Sequence, residues 1–152
     1  MGNLKTSEAG IAVVHVKRLR ESAKLPFRAT DHASGADLYA CVEVPVVLGQ
    51  RPKLVGTGLA LEVPPGFDAQ IRPRSGLAKQ GVLSTFGTLD ADYRGELMIA
   101  LYTTSPDVTY VVHDGDRIAQ IVLTRLAEVE FEEAGELSDT ARGVGGHGST
   151  GR

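Results

Sequence analysis

Tryptophan is missing from this 152-residue chain, aromatic residues make up only 5% of it, and there is a single cysteine. With so few rings, the core has to rest on Val, Leu, Ile and Ala. One cysteine, Cys41, excludes an intrachain disulfide framework and fits a reducing compartment. It lies in a strand-like run and reads as a buried small hydrophobe. No apolar run nears membrane-spanning length, and no basic-then-apolar leader opens the chain, so a cytoplasmic protein without a membrane partner is expected. A net charge of −3 gives no general polyanion-binding surface, and no nucleic-acid partner is expected. The four histidines and one cysteine show no zinc-ligand spacing. No segment carries a helical period over ten or more residues.

What is present is a soluble globular profile, 42% apolar and 23% charged, over the length of one domain with a real core. Residues 1–10 read as a disordered leader, 11–137 as a single β domain, and 138–152 as a flexible glycine-rich arm. Basic residues gather before position 30 and acidic ones between 126 and 140, which reads as two solvated faces. Alternation predicts strands over 11–19, 37–44, 46–48, 53–63, 67–72, 82–86, 96–102, 109–112 and 117–126. Val129 and Phe131, alternating with glutamates, extend the pattern to a last half-exposed strand. Pro64-Pro65-Gly66 and Asp114-Gly115 are turn signals, and residues 75–81 have room for one helical turn. The runs at 96–102 and 117–126 are apolar on both faces, which asks for a second sheet or another subunit to cover them. Many short strands with Pro and Gly turns predict an all-β sandwich or barrel.

Chemistry concentrates in a few stretches. Gly87-Thr88-Leu89-Asp90-Ala91-Asp92-Tyr93-Arg94-Gly95-Glu96 places glycines around two carboxylates, a ring and an arginine, between two strand-like runs. That is the make-up of a hairpin holding a general base beside a flat surface, and it reads as the floor of an active site. Arg72-Pro73-Arg74-Ser75-Gly76 offers guanidinium forks, a hydroxyl and an approachable backbone N–H, a vocabulary for anionic oxygens that also fits a charged turn. The tail from Arg142 repeats it, with Gly145, Gly146, Gly148, Ser149 and Thr150 around His147. It reads either as a lid that orders with ligand or as a plain glycine tail. Asp37 is a third carboxylate, at a strand start. Carboxylates beside a polyphosphate repel it unless a hard cation lies between, which implies Mg²⁺.

Five motifs in order carry a family resemblance over roughly residues 11–151. They are Ala33-Ser34-Gly35-Ala36-Asp37-Leu38-Tyr39-Ala40, Pro73-Arg74-Ser75-Gly76-Leu77-Ala78, the run from Gly87 to Gly95, Gly115-Asp116-Arg117-Ile118-Ala119-Gln120-Ile121-Val122, and the tail from Arg142. In this the chain resembles the trimeric dUTP diphosphatases. The resemblance implies a jelly-roll-like β-clip barrel or sandwich, a homotrimer with active sites shared between subunits, and Mg²⁺-dependent hydrolysis of dUTP to dUMP and pyrophosphate. That activity limits uracil in DNA and supplies dUMP for thymidylate synthesis.

Carried over by position, Asp90 is the base that activates water, and Tyr93 is the ring that crowds out a 2′-hydroxyl. Arg74, Ser75, Gly76 and Gln120 hold phosphates. Asp37 meets the metal through its water shell. Base recognition belongs to the stretch between Ser84 and Tyr93, including Gly87, Thr88 and Leu89, mostly through backbone groups. Arg142, Gly148, Ser149 and Thr150 belong to the arm. His147 replaces the phenylalanine usual there, so a mild pH effect on substrate affinity near the histidine pKa is expected, one that His147→Phe abolishes. Ala36 replaces a common tyrosine and reads as repacking. Two rivals are a dCTP deaminase, whose adjacent Arg-Ser-Ser pattern and catalytic glutamate have no obvious counterpart here, and a non-enzymatic binder on the same fold.

Overall fold

The structure, a computed structural model, describes residues 11–146. Ten strands and one helical turn follow in order: β1 (His15–Arg18), β2 (Ala36–Tyr39), β3 (Val46–Leu48), β4 (Lys53–Glu62), β5 (Phe67–Arg72), α1 (Ser75–Ala78), β6 (Val82–Ser84), β7 (Gly87–Leu89), β8 (Glu96–Thr103), β9 (Tyr110–Val112) and β10 (Arg117–Arg125). They form two four-stranded sheets, β1-β4-β8-β6 and β2-β10-β5-β7, and a two-stranded β3-β9 ribbon. Among the described residues these strands pair antiparallel.

Period-2 alternation explains which face each strand buries. On β8, Leu97, Ile99 and Leu101 point inward and Met98 is exposed. They meet Leu59 and Leu61 from β4, and Leu38, Ala69, Ile71 and Ile121 from the other sheet, in one aliphatic core. β10, paired on both edges with β2 and β5, is also buried on both faces, at Ile118, Ala119, Ile121 and Val122. Within one chain β10 is thus covered on both faces, while β8 leaves Met98 uncovered.

Several expected elements differ. The first strand is limited to His15–Arg18, and the second ends at Tyr39. Past it, Ala40 and Cys41 turn their N–H groups to the carbonyls of Asp116 and Gly56. Cys41 is buried as expected, outside any strand. The stretch 126–140 forms no strand and is exposed, with Phe131 at 96%; among the described residues its alternation meets no partner strand. The expected hairpin of 82–86 with 96–102 divides instead. β6 pairs with β8, and after two residues β7 crosses to the opposite sheet and pairs with β5. Gly87 opens β7 opposite Ile71 of β5.

Candidate active site

Where β7 and the loop after it meet the start of β8, a cleft of about 380 Å³ opens. Gly87, Thr88, Leu89, Asp90 and Tyr93 line one side, and Leu54, Ile71, Leu97 and Met98 give the other an apolar surface. A larger groove, about 530 Å³, lies elsewhere, among Val14, Val16, Leu25, Phe67 and Leu123. Its polar side chains are Arg28 and Ser34, which supply no acid–base chemistry, so the smaller cleft is the candidate site.

The loop carrying Asp90 is tied at several points. Tyr93 N–H donates to the Asp90 carbonyl at 3.1 Å, closing a turn that leaves the Asp90 side chain exposed at the cleft. Arg94 donates to the carbonyls of Ala91 (2.6 Å) and Tyr93 (3.0 Å) and reaches Glu62 of β4 at 3.4 Å. Tyr93 Oη donates to the Glu96 carbonyl at 3.1 Å. Its ring lies across Gly95, where a Cβ would come within 2.6 Å of Tyr93 Cζ. Asp92 is exposed and lies outside the cleft lining.

A second cluster forms at the other end of the same sheet. Because β10 runs between β2 and β5, Gln120 sits opposite both Asp37 and Arg72. Arg74, just past β5, donates from Nε to Asp37 at 3.0 Å and from Nη1 to the Arg117 carbonyl at 3.1 Å. Arg117 reaches the second Asp37 oxygen at 3.4 Å. Two guanidinium groups thus share one carboxylate, and the cluster keeps a net positive charge. Gln120 Nε2 donates to the Pro73 carbonyl at 2.9 Å, bracing the turn that presents Arg74. Gly35 makes room for this: a Cβ there would lie 3.1 Å from Gln120 Cδ. Ser75 and Gly76 are exposed at the start of α1. Tyr110 belongs to the same region; burial and then Asp116 push its phenol up, with Arg74 opposing.

Asp37, Arg74 and Gln120, from three distant stretches, therefore meet, and Asp90 and Tyr93 share a cleft. The two groups stay apart. Leu89 lies opposite Ala69, while Arg74 is five residues farther along an extended chain, roughly 16 Å at the usual strand rise. Ser84 points its side chain inward, 4% exposed, and its hydroxyl has no hydrogen-bond partner among the described residues. Only its backbone can face a ligand. Arg142 folds onto its own segment, donating to the Gly145 carbonyl at 2.8 Å. His147, Gly148, Ser149 and Thr150 lie outside the described residues. Arg117, Gly35, Arg94 and Glu96 carry contacts here that the sequence pattern alone does not specify. Arg117 and Glu96 sit inside or beside recognised motifs, but their partners at positions 37 and 20 only the fold brings near.

The dUTPase family model matches residues 21–151. The chain belongs to the dUTPase family. Among its relatives is the deoxyuridine 5'-triphosphate nucleotidohydrolase of Hydrogenobaculum sp., 52% identical over 139 residues, or 90% of this chain and 96% of that one. That of Corynebacterium glutamicum is 42% identical over 145 residues, 93% of this chain and 97% of the other. In fold, the chain is similar to a mutant dUTPase of Staphylococcus bacteriophage 80alpha solved with dUpNHpp. The TM-score is 0.83 at 24% identity, covering 92% of this chain and 99% of that one. A phage phi11 dUTPase described with a structural Mg(II) ion is similar at TM-score 0.73 and 22% identity, covering 82% and 97%. The fold is thus the jelly-roll-like β fold of the dUTPases. This dUTPase-family chain has, among the described residues, no helix long and apolar enough to cross a membrane.

Proposed function

We infer that this chain hydrolyses dUTP to dUMP and pyrophosphate by attack of water on the α-phosphorus. Asp90 at the mouth of the apolar-walled cleft carries the reading. An exposed carboxylate on a turn fixed by four hydrogen bonds can orient a water and take its proton without moving itself. Backbone groups between Ser84 and Tyr93 read uracil, and the apolar wall excludes the thymine methyl. Tyr93 crowds a 2′-hydroxyl. Arg74, Ser75, Gly76 and Gln120 bind the phosphates, where two guanidinium groups against one carboxylate leave positive charge for an anion. Arg142, His147, Gly148, Ser149 and Thr150 close over the substrate as the arm, residues 138–152. Water attacks in line, and the departing pyrophosphate leaves against Arg74 and Ser75.

The donors suit Mg²⁺ only as a partner of the substrate. Among the described residues no cluster of three His, Cys, Asp or Glu could hold a metal, and both Asp37 oxygens already accept from arginine. Such a set fits an ion bound chiefly by phosphate oxygens, with Asp37 meeting its water shell. When bound, Mg²⁺ neutralises charge on the triphosphate.

The separation of Asp90 from Arg74 supports a homotrimer with shared sites. A base has to lie about 3 Å from the proton it takes, and within one chain Asp90 and Arg74 sit at opposite ends of β5. In the shared site a second copy brings its Arg74 to the Asp90 of the first. Exposed Val129, Phe131 and Leu137 support the same assembly, as apolar surface for a partner to cover. A cytoplasmic enzyme of this kind limits uracil in DNA and supplies dUMP.

Pyrophosphate release from dUTP, dTTP, dCTP and UTP, with and without Mg²⁺, tests the reading. Release from dUTP alone, lost on adding EDTA, is expected; ammonia from dCTP, or no turnover, contradicts it. Asp90→Asn should lower kcat by about 10²–10⁴ while a non-hydrolysable analogue still binds.

A further inference from the structure

We propose that Arg20 and Glu96 are positioning residues that set the tilt of the Tyr93 ring and so govern discrimination against the ribonucleotide. The inference rests on the reading of Tyr93 as the surface beneath the deoxyribose. Neither residue belongs to the groups expected to touch substrate phosphate or base.

Tyr93 Oη is held by the carbonyl of Glu96, so the ring follows wherever residue 96 is fixed. Residue 96 is fixed by its own carboxylate, which accepts the Gly58 N–H at 2.8 Å and pairs with Arg20 through both terminal nitrogens. Arg20 is held in turn by the Cys41 carbonyl at 3.2 Å and the Cys41 Sγ at 3.3 Å.

The notch that receives this pair is built for it. β4 is irregular between Gly56 and Ala60, with Gly58 at φ 68°, and this turns backbone groups of β4 outward. The Gly56 carbonyl takes Cys41 N–H and the Gly58 carbonyl takes Leu19 N–H, both short bonds. A Cβ at Gly56 would lie 2.6 Å from Glu96 Oε1 and 2.9 Å from Arg20 Nη2. Arg20 and the β4 backbone at Gly58 thus converge on one carboxylate, with Cys41 bracing Arg20 from behind, and Glu96 also lines the cleft. The same residue therefore joins the part-buried end of this network to the Tyr93 hydroxyl.

The experiment compares kcat/KM for dUTP and UTP in the wild type, Glu96→Gln, Arg20→Met, Arg20→Lys and Tyr93→Phe, each checked for folding by thermal unfolding. Glu96→Gln and Arg20→Met should lower the dUTP:UTP ratio about fivefold to tenfold, the worth of one lost hydrogen-bond constraint, with Arg20→Lys recovering part. Tyr93→Phe, which leaves the ion pair intact, should give a loss of the same size, and combining it with Glu96→Gln should add nothing. An unchanged ratio in folded Glu96→Gln or Arg20→Met, with Tyr93→Phe lowered, overturns the positioning role alone. An unchanged ratio in Tyr93→Phe overturns the inference, and an unchanged ratio also in Tyr93→Ala, made alongside it, overturns the reading of Tyr93 itself. If Glu96→Gln fails to fold, Arg20→Met and the Tyr93→Phe comparison decide.

Discussion

Tyr93 keeps its place as much through a missing side chain as through a bond. Its ring crosses Gly95, and 46% of the residue is exposed, so the ring can give way if something is added beneath it. Gly95→Ala should therefore fold within about 1 kcal/mol of the wild type while narrowing the preference for dUTP over UTP; unchanged preference contradicts the ring's role. Glu96 makes a second residue-scale prediction. Burial opposes its ionisation, but Arg20 and the Gly58 N–H outweigh it and hold the carboxyl below its ordinary value. Stability from this group is full above the unfolded carboxylate pKa and is lost as pH falls through the lowered folded one. Between about pH 5 and 3 the wild-type Tm should fall faster than that of Glu96→Gln, the two converging at the acid end. Parallel curves contradict the pairing.

At the scale of the element, strands were legible where alternation and turn chemistry agree. Phe67–Arg72 is read correctly because Pro64-Pro65-Gly66 starts it and Pro73 ends its ladder. The crossing of residues 84–87 between sheets was hidden, because period 2 fixes which face a residue takes and says nothing of which sheet. Val129 and Phe131 alternate as a strand does, yet alternation alone does not bring a segment to an edge, and among the described residues they pair with none. At the site, the Asp90 loop and the Arg74 turn were visible as motifs. That Asp37 lies between two arginines was not, since the contact spans 37 and 80 residues. The reading of faces has its own test. Ile99→Ala, in the core at 1% exposure, should cost about 2–5 kcal/mol in urea unfolding. Val47→Ala, exposed on the β3-β9 ribbon, should cost under about 0.5 kcal/mol. Equal costs would contradict the assignment.

For the whole molecule, the cleft of one chain is lined by Asp90 and not by Arg74, which lies past the far end of β5. Mixing two inactive variants tests this most directly. Asp90→Asn and Arg74→Ala chains, each inactive alone, are unfolded, mixed in equal amounts and reassembled, and pyrophosphate release from dUTP is measured. Sites drawing Asp90 from one copy and Arg74 from another predict recovery of about a quarter of wild-type activity by random assortment. No recovery above the separate variants, with trimers formed, would contradict it.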